Sequence, residues 1–183
     1  MPITPPAKVG SSVPGLAPSP TVPLIEKCKF QFDPSDPMHI HQHALDITGD
    51  ALEQNDFDTF AAFFRLPHDV DTFKAHQTIR SREHLRTLFQ NSRQQNEEMG
   101  VTHRIRTSIA AMFKSPDTIT CSHVSRIMNG NFQLRDAVPC HSIFENVNGV
   151  WLLTRSSYAL EETDAPFDRL LTKKGQPLRF SDP

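Results

Sequence analysis

The stretch "DALEQNDFDTFAAFFRLPHDV", residues 50–70, decides the fold. Its first residues close one helix, Asp56 can cap a second, and Phe57, Phe60, Ala61 and Phe64 fall on one face of that second helix. Leu66-Pro67 stops the helical pattern, because a residue before proline is pushed out of the helical region. The continuation "DVDTFKAHQTIRS", residues 69–81, then alternates as two short strands around a turn near Ala75 and His76. Two amphipathic helices entering a sheet need a large apolar surface to cover, and the rest of the chain supplies it.

Upstream, Asp36 can cap and Pro37 can open a first helix in which Ile40, Ala44, Ile47 and Ala51 recur, with Leu45 and Leu52 beside them. Gly49 inside it costs about 1 kcal/mol relative to alanine, which points to a close packing contact at that position. Downstream, Ser81 starts a third helix with Leu85, Leu88 and Phe89 on one face and Gly100 as its stop. Residues 101–160 are strand-like, broken at "KSPDT", "MNGNF" and "NVNGVW", so four long antiparallel strands are expected in succession. The expected architecture is α+β, with three helices packed on a strongly bent antiparallel sheet in the order α-α-β-β-α-β-β-β-β.

The flanks differ in composition. Residues 1–25 are proline-rich with few large side chains and read as a disordered arm; residues 163–183 read as a polar extension with a short helix around 167–171. The domain between them spans 26–162. The 19 basic and 21 acidic residues leave no field for steering toward nucleic acid or an acidic membrane, and neither partner is expected. Three cysteines without CxxC spacing, and the lack of an apolar leader or of a run near 18 apolar residues, make a reduced cytoplasmic protein the expectation.

The element order is similar to that of the nuclear transport factor 2-like superfamily, in particular its SnoaL-like branch. The resemblance rests on residues 50–70, on "TIRSREHLRTLF" (78–89) for the second strand and third helix, and on "NVNGVWLLTRSSY" (146–158) for the last hairpin. It spans about residues 38–161. It implies a cone-shaped fold, dimerisation through the sheet, and a cavity used by isomerases, dehydratases, cyclases and hydrolases, or by proteins that only bind. A small subunit of a ring-hydroxylating dioxygenase is a further alternative that rests on fold similarity alone.

Turn chemistry gives a register. An Asn148-Gly149 turn pairs Val147 with Val150, Phe144 with Leu153, Ser142 with Arg155 and Cys140 with Ser157; a Gly130-Asn131 turn sets Cys121 opposite Cys140 and His123 opposite Val138. Alternation then sends Ile105, Thr107, Ile109, Ala111 and Phe113 inward with Ile119, Cys121, His123, Ser125 and Ile127. Val138, Cys140, Ser142, Phe144, Trp151, Leu153 and Arg155 join them. A mostly apolar face with a few polar groups is the lining of a ligand cavity. The expected ligand contacts are Thr107, Ile109, Val138, Ser142, Phe144 and Trp151. The opposite face, with Arg104, Arg106, Met112, Ile143 and Tyr158 among others, suits a second copy of the chain.

If the cavity is catalytic, His123 or Asp69 is the candidate base for proton transfer and Arg155 its electrostatic partner. His68, Asp69 and Asp71 stand together at the strand entry, Asp69 and Asp71 on one face, and an exposed polar entry in which Asp69 caps a turn is the preferred explanation of the group. His39 and His43 stand at the i, i+4 separation of zinc ligands without an HExxH glutamate, so a solvated helix start is preferred and no metal is expected. No phosphate-cradling glycine motif is present, and no cofactor is expected.

Overall fold

The computed structural model of the chain describes residues 33–73 and 75–160. The proline-rich arm and the C-terminal extension lie outside them. α1 (Pro37–Gln54) starts where the sequence places it: the Asp36 carboxylate accepts the Met38 N–H at 2.8 Å and Pro37 opens the first turn. Asn55, in the left-handed region at φ 62°, ends it. α2 (Phe57–Ala61) is capped by Asp56, and α3 (Arg82–Glu98) by the Ser81 hydroxyl, which accepts the His84 N–H at 3.1 Å.

β1 (Phe64–Asp71) begins three residues before Pro67 instead of after it, so α2 is a single turn and Phe64 belongs to the sheet. A proline is tolerated inside the sheet because the register of β1 against β7 slips between Phe64 and Asp69, where a ladder bond is missing anyway. β2 (His76–Ile79) pairs antiparallel with β1. β3 (His103–Ser115), β4 (Thr118–Asn129), β5 (Phe132–Gln133), β6 (Val138–Val147) and β7 (Val150–Tyr158) complete one curled sheet in the order β2-β1-β7-β6-β4-β3, with β5 a short spur on β4.

The helices cover the concave face in two core clusters. Phe57, Val70, Ile79, Leu85 and Phe89 join α2 and α3 to β1 and β2, and Ile40, Ala44, Ile119, Cys121 and Phe144 join α1 to the central strands. β3 is an edge strand, and α1 blunts it: Gln42 Nε2 donates to the Arg106 carbonyl at 3.0 Å while the Ser108 N–H donates to Gln42 Oε1 at 2.8 Å. One side-chain amide thus replaces a missing neighbour strand.

Parity on β4 and β6 follows the alternation: Ile119, Cys121, His123, Ser125 and Ile127 are buried, as are Val138, Cys140, Ser142 and Phe144. The partners are offset by two, with Cys121 opposite Ser142 and His123 opposite Cys140. The Gly130-Asn131 turn does form, pairing Asn129 with Phe132, but the chain leaves the ladder after Gln133 and rejoins it at Val138. An even offset preserves the faces.

Two bulges do not. On β3 the register slips between Ser108 and Ala110, leaving Ile109 unpaired; residues before it are inverted, so Ile105, Thr107 and Ile109 face outward and Arg104, Arg106 and Ser108 face inward. On β7, Phe144 faces Leu153 as expected but Ile143 faces Arg155, leaving Thr154 as the extra residue. Ser156 and Tyr158 therefore take the inward places opposite Ser142 and Cys140, and Arg155 turns outward.

Candidate functional site

Between the helices and the concave face lies a cavity of about 140 Å³, measured as the space open to the centre of a water-sized sphere. That is about ten times what one water needs. Phe60, Phe63 and Phe64 arrive from α2 and its junction with β1, Leu88 from α3, and Phe144 and Leu153 from β6 and β7. These make one apolar end. The rows of the sheet then run past Ser142 and Ser156 to His123, Cys140 and Tyr158, and on to Arg106, Ser125 and Val138. The second end, which Arg104 and Arg135 also line, is therefore polar and cationic, and among the described residues no carboxylate lines the cavity.

Arg106 is held by α1. Its Nη2 donates to the Leu45 carbonyl and, at 3.0 Å, to Thr48 Oγ1. The close contact expected at Gly49 is this side chain: a Cβ there would stand 2.7 Å from Arg106 Nη2. Arg104 reaches α3, its Nη2 donating to Asn96 Oδ1, while its Nε is fully enclosed without a partner. Burial depresses both guanidinium pKa values, Arg104 to about 10, and mutual repulsion adds to the effect on Arg104.

Three imidazoles are buried. His41, from α1, is fully enclosed, its Nδ1 2.7 Å from Ser108 Oγ and its ring edge-on to His123 at 5.3 Å. His123 and His68 both line the cavity, each with an Nδ1 that has no partner; His68 Nε2 lies 3.3 Å from Ser156 Oγ. Burial pulls the pKa of His41 and His68 down to about 4 and that of His123 to about 3, the last helped by His41 and Arg106. All three are neutral at pH 7. Burial also pushes the Cys121 and Cys140 thiols up to about 12, so they pack as small apolar groups.

The residues singled out in the sequence divide. His123, Val138, Ser142 and Phe144 meet at the cavity. Trp151 is half-buried against Phe113, with ring centroids 5.8 Å apart, beside the α1 cluster and not on the cavity wall. Thr107 and Ile109 are exposed on the outer face because of the β3 bulge. Asp69 and Arg155 are outside as well. Thr78 Oγ1 donates to Asp69 at 2.7 Å, Arg155 Nε donates to Asp71 at 2.8 Å, and His76 Nδ1 lies 2.7 Å from the same Asp71 carboxylate. Burial alone would raise the Asp71 pKa, but the bonds from Arg155 and His76 outweigh it and hold the carboxyl low. Arg104, Arg106, Arg135 and His68 are the cavity groups that alternation did not place there, and His41 packs edge-on against the cavity residue His123. His41 could have been found from its i, i+4, i+7 relation to Leu45 and Thr48, Arg104 and Arg106 only with the bulge in hand. Among the described residues, no three His, Cys, Asp or Glu side chains are arranged to hold a metal, and no helix is long and apolar enough to cross a membrane.

Neither a protein-family model nor a curated protein matches the chain. Solved structures do, at identities that speak for the fold alone. A nuclear transport factor 2-like protein of unknown function from Shewanella oneidensis MR-1 superposes with a TM-score of 0.54 at 9% identity, over 68% of this chain and 100% of its own. Another such protein, with a cystatin-like fold, from Novosphingobium aromaticivorans reaches 0.51 at 15% identity over 74% and 88%. A suggested dehydratase of the same family from Streptomyces avermitilis reaches 0.50 at 13% over 68% and 95%. The chain has the nuclear transport factor 2-like, cystatin-like fold.

Proposed function

Starting from that fold, we propose that this is a SnoaL-like ligand-binding protein whose cavity takes a small, partly apolar molecule. The observation that carries the reading is the cavity itself: an aromatic and aliphatic end joined to a short row of polar side chains, roofed by all three helices. Mass spectrometry of the native purified protein tests it. A retained small molecule that is lost on denaturation is expected; an empty protein with no thermal shift across a metabolite panel contradicts it.

Binding is favoured over catalysis by the acid/base groups present. His123 offers a free Nδ1, but a base with pKa about 3 makes a poor proton acceptor at neutral pH, because the imidazolium it forms sits beside Arg106. Asp69 and Arg155 are tied to Thr78 and Asp71 on the far side of the sheet. If turnover exists, His123 or His68 is the residue to carry it, as a neutral imidazole inside the cavity.

A second reading concerns the outer face, where Ile105, Ile109 and Met112 are all exposed, at 42%, 57% and 61%. The β3 bulge makes this face more apolar than alternation predicts, since it exchanges two arginines for two isoleucines. We propose that a second copy of the chain covers it. Met112→Glu or Ile143→Glu is expected to convert a dimer into a monomer in light scattering; an unchanged mass contradicts the dimer.

A further inference from the structure

We infer that the cationic end of the cavity is a carboxylate site, so that the ligand is a monocarboxylic acid with an apolar body. The inference rests on the cavity-binding reading and names its substrate class.

The donors are placed and unspent. Every side-chain hydrogen bond that Arg106 makes to the protein leaves from Nη2, to Leu45 and Thr48, so its Nη1 and Nε remain available. Arg104 likewise uses only Nη2, and its Nε is enclosed with no acceptor. Both side chains line the cavity, on alternate residues of β3. A buried guanidinium is costly unless it is paired, and among the described residues no acidic side chain lines the cavity, Asp46 and Glu53 acting on Arg106 from outside its wall. Nη1 and Nε lie on different edges of the guanidinium, with Nη2 between them, so each offers a carboxylate oxygen a single charge-assisted N–H bond.

The surroundings argue for one negative charge and not two. Arg104 bonds to Asn96 in the last turn of α3, and its backbone N–H donates to Glu53 in the last turn of α1 at 3.2 Å. Helix C-termini carry partial negative charge, and phosphate sites are built from N-termini instead. Arg104 faces both helix ends, Arg106 the middle of α1, and Arg135 also lines the cavity, so the negative helix ends offset part of the cationic charge and leave room for a ligand with a single anionic group. Phe60, Phe63, Phe64 and Leu153 at the other end give its hydrocarbon a place out of water.

Calorimetric titration of the full chain with octanoate, octanamide and octan-1-ol tests the assignment. Octanoate is expected to bind at least tenfold tighter than either neutral analogue, and Arg104→Met, Arg106→Met or both are expected to erase that preference while the affinity for octan-1-ol stays within threefold. Neutral analogues that bind the native chain as tightly as octanoate overturn the carboxylate site and leave the cavity reading standing. If none of the three binds, both fall. The comparison of probes on the native chain decides the question even where a substituted chain does not fold.

Discussion

The two faces of this sheet hold charge in opposite ways. On the outside, Arg155, Asp71, His76, Asp69 and Thr78 bond to one another, so the cluster is complete. On the inside, the Arg104 and Arg106 guanidinium groups donate to amide, backbone and hydroxyl oxygens, and among the described residues no carboxylate lines the cavity beside them. A cluster closed upon itself stabilises little and asks for no partner. Unmatched charge behind the helices costs stability, and a cavity that keeps it has a use for it.

The largest expected difference between the faces is their response to acid. His41, His68 and His123 stay neutral in the folded chain down to about pH 4, 4 and 3, whereas in the unfolded chain they bind protons below about pH 6.5. Depressed folded values mean the unfolded state binds more protons in that window, so stability present above pH 6.5 falls as pH drops toward 4. Each imidazole contributes up to about 1.4 kcal/mol per pH unit. Urea unfolding at pH 7.5, 6 and 5 is expected to show this slope, and His123→Leu to flatten it by roughly a third. Asp71, held low by Arg155, adds acid sensitivity only at lower pH.

Charge removal separates the faces next. Arg106→Met is expected to leave stability unchanged or raise it by about 1–2 kcal/mol in the absence of ligand. Arg155→Met is expected to cost no more than about 1 kcal/mol, its side chain being 47% exposed. Only the first should alter ligand affinity, which titration of each variant measures. An equal loss from Arg155→Met would erase the distinction.

How much of this was readable in the sequence depends on the range of the forces involved. The caps at Asp36, Asp56 and Ser81 and the turn at Asn148-Gly149 are set by neighbouring residues, and the structure has them where the residues predict. The inward faces of β4 and β6 were readable because nothing interrupts their alternation. Ile109 and Thr154 carry no local mark of a bulge: each answers to the curvature that closes the sheet over the helices. One extra residue in each strand exchanged Arg155 for Ser156 and Thr107 for Arg106 in the interior. Gly49 was the one sequence trace of the arginine site, a helix-weakening residue whose cause lies on β3.

The smallest effect expected follows from that glycine. Gly49→Ala improves helix propensity by about 1 kcal/mol but sets a methyl against the Arg106 guanidinium, so stability should shift by less than about 1 kcal/mol by chemical denaturation. Octanoate affinity should drop several-fold, since the displaced group is the one proposed to bind it.

The central claim, that the ligand belongs to the inner face, is tested most directly by following the imidazole resonances of isotope-labelled histidines while octanoate is added. Shifts at His123 and His68, which line the cavity, with His76 on the outer cluster unmoved, are the predicted result. Movement of His76 with His123 and His68 silent would contradict it.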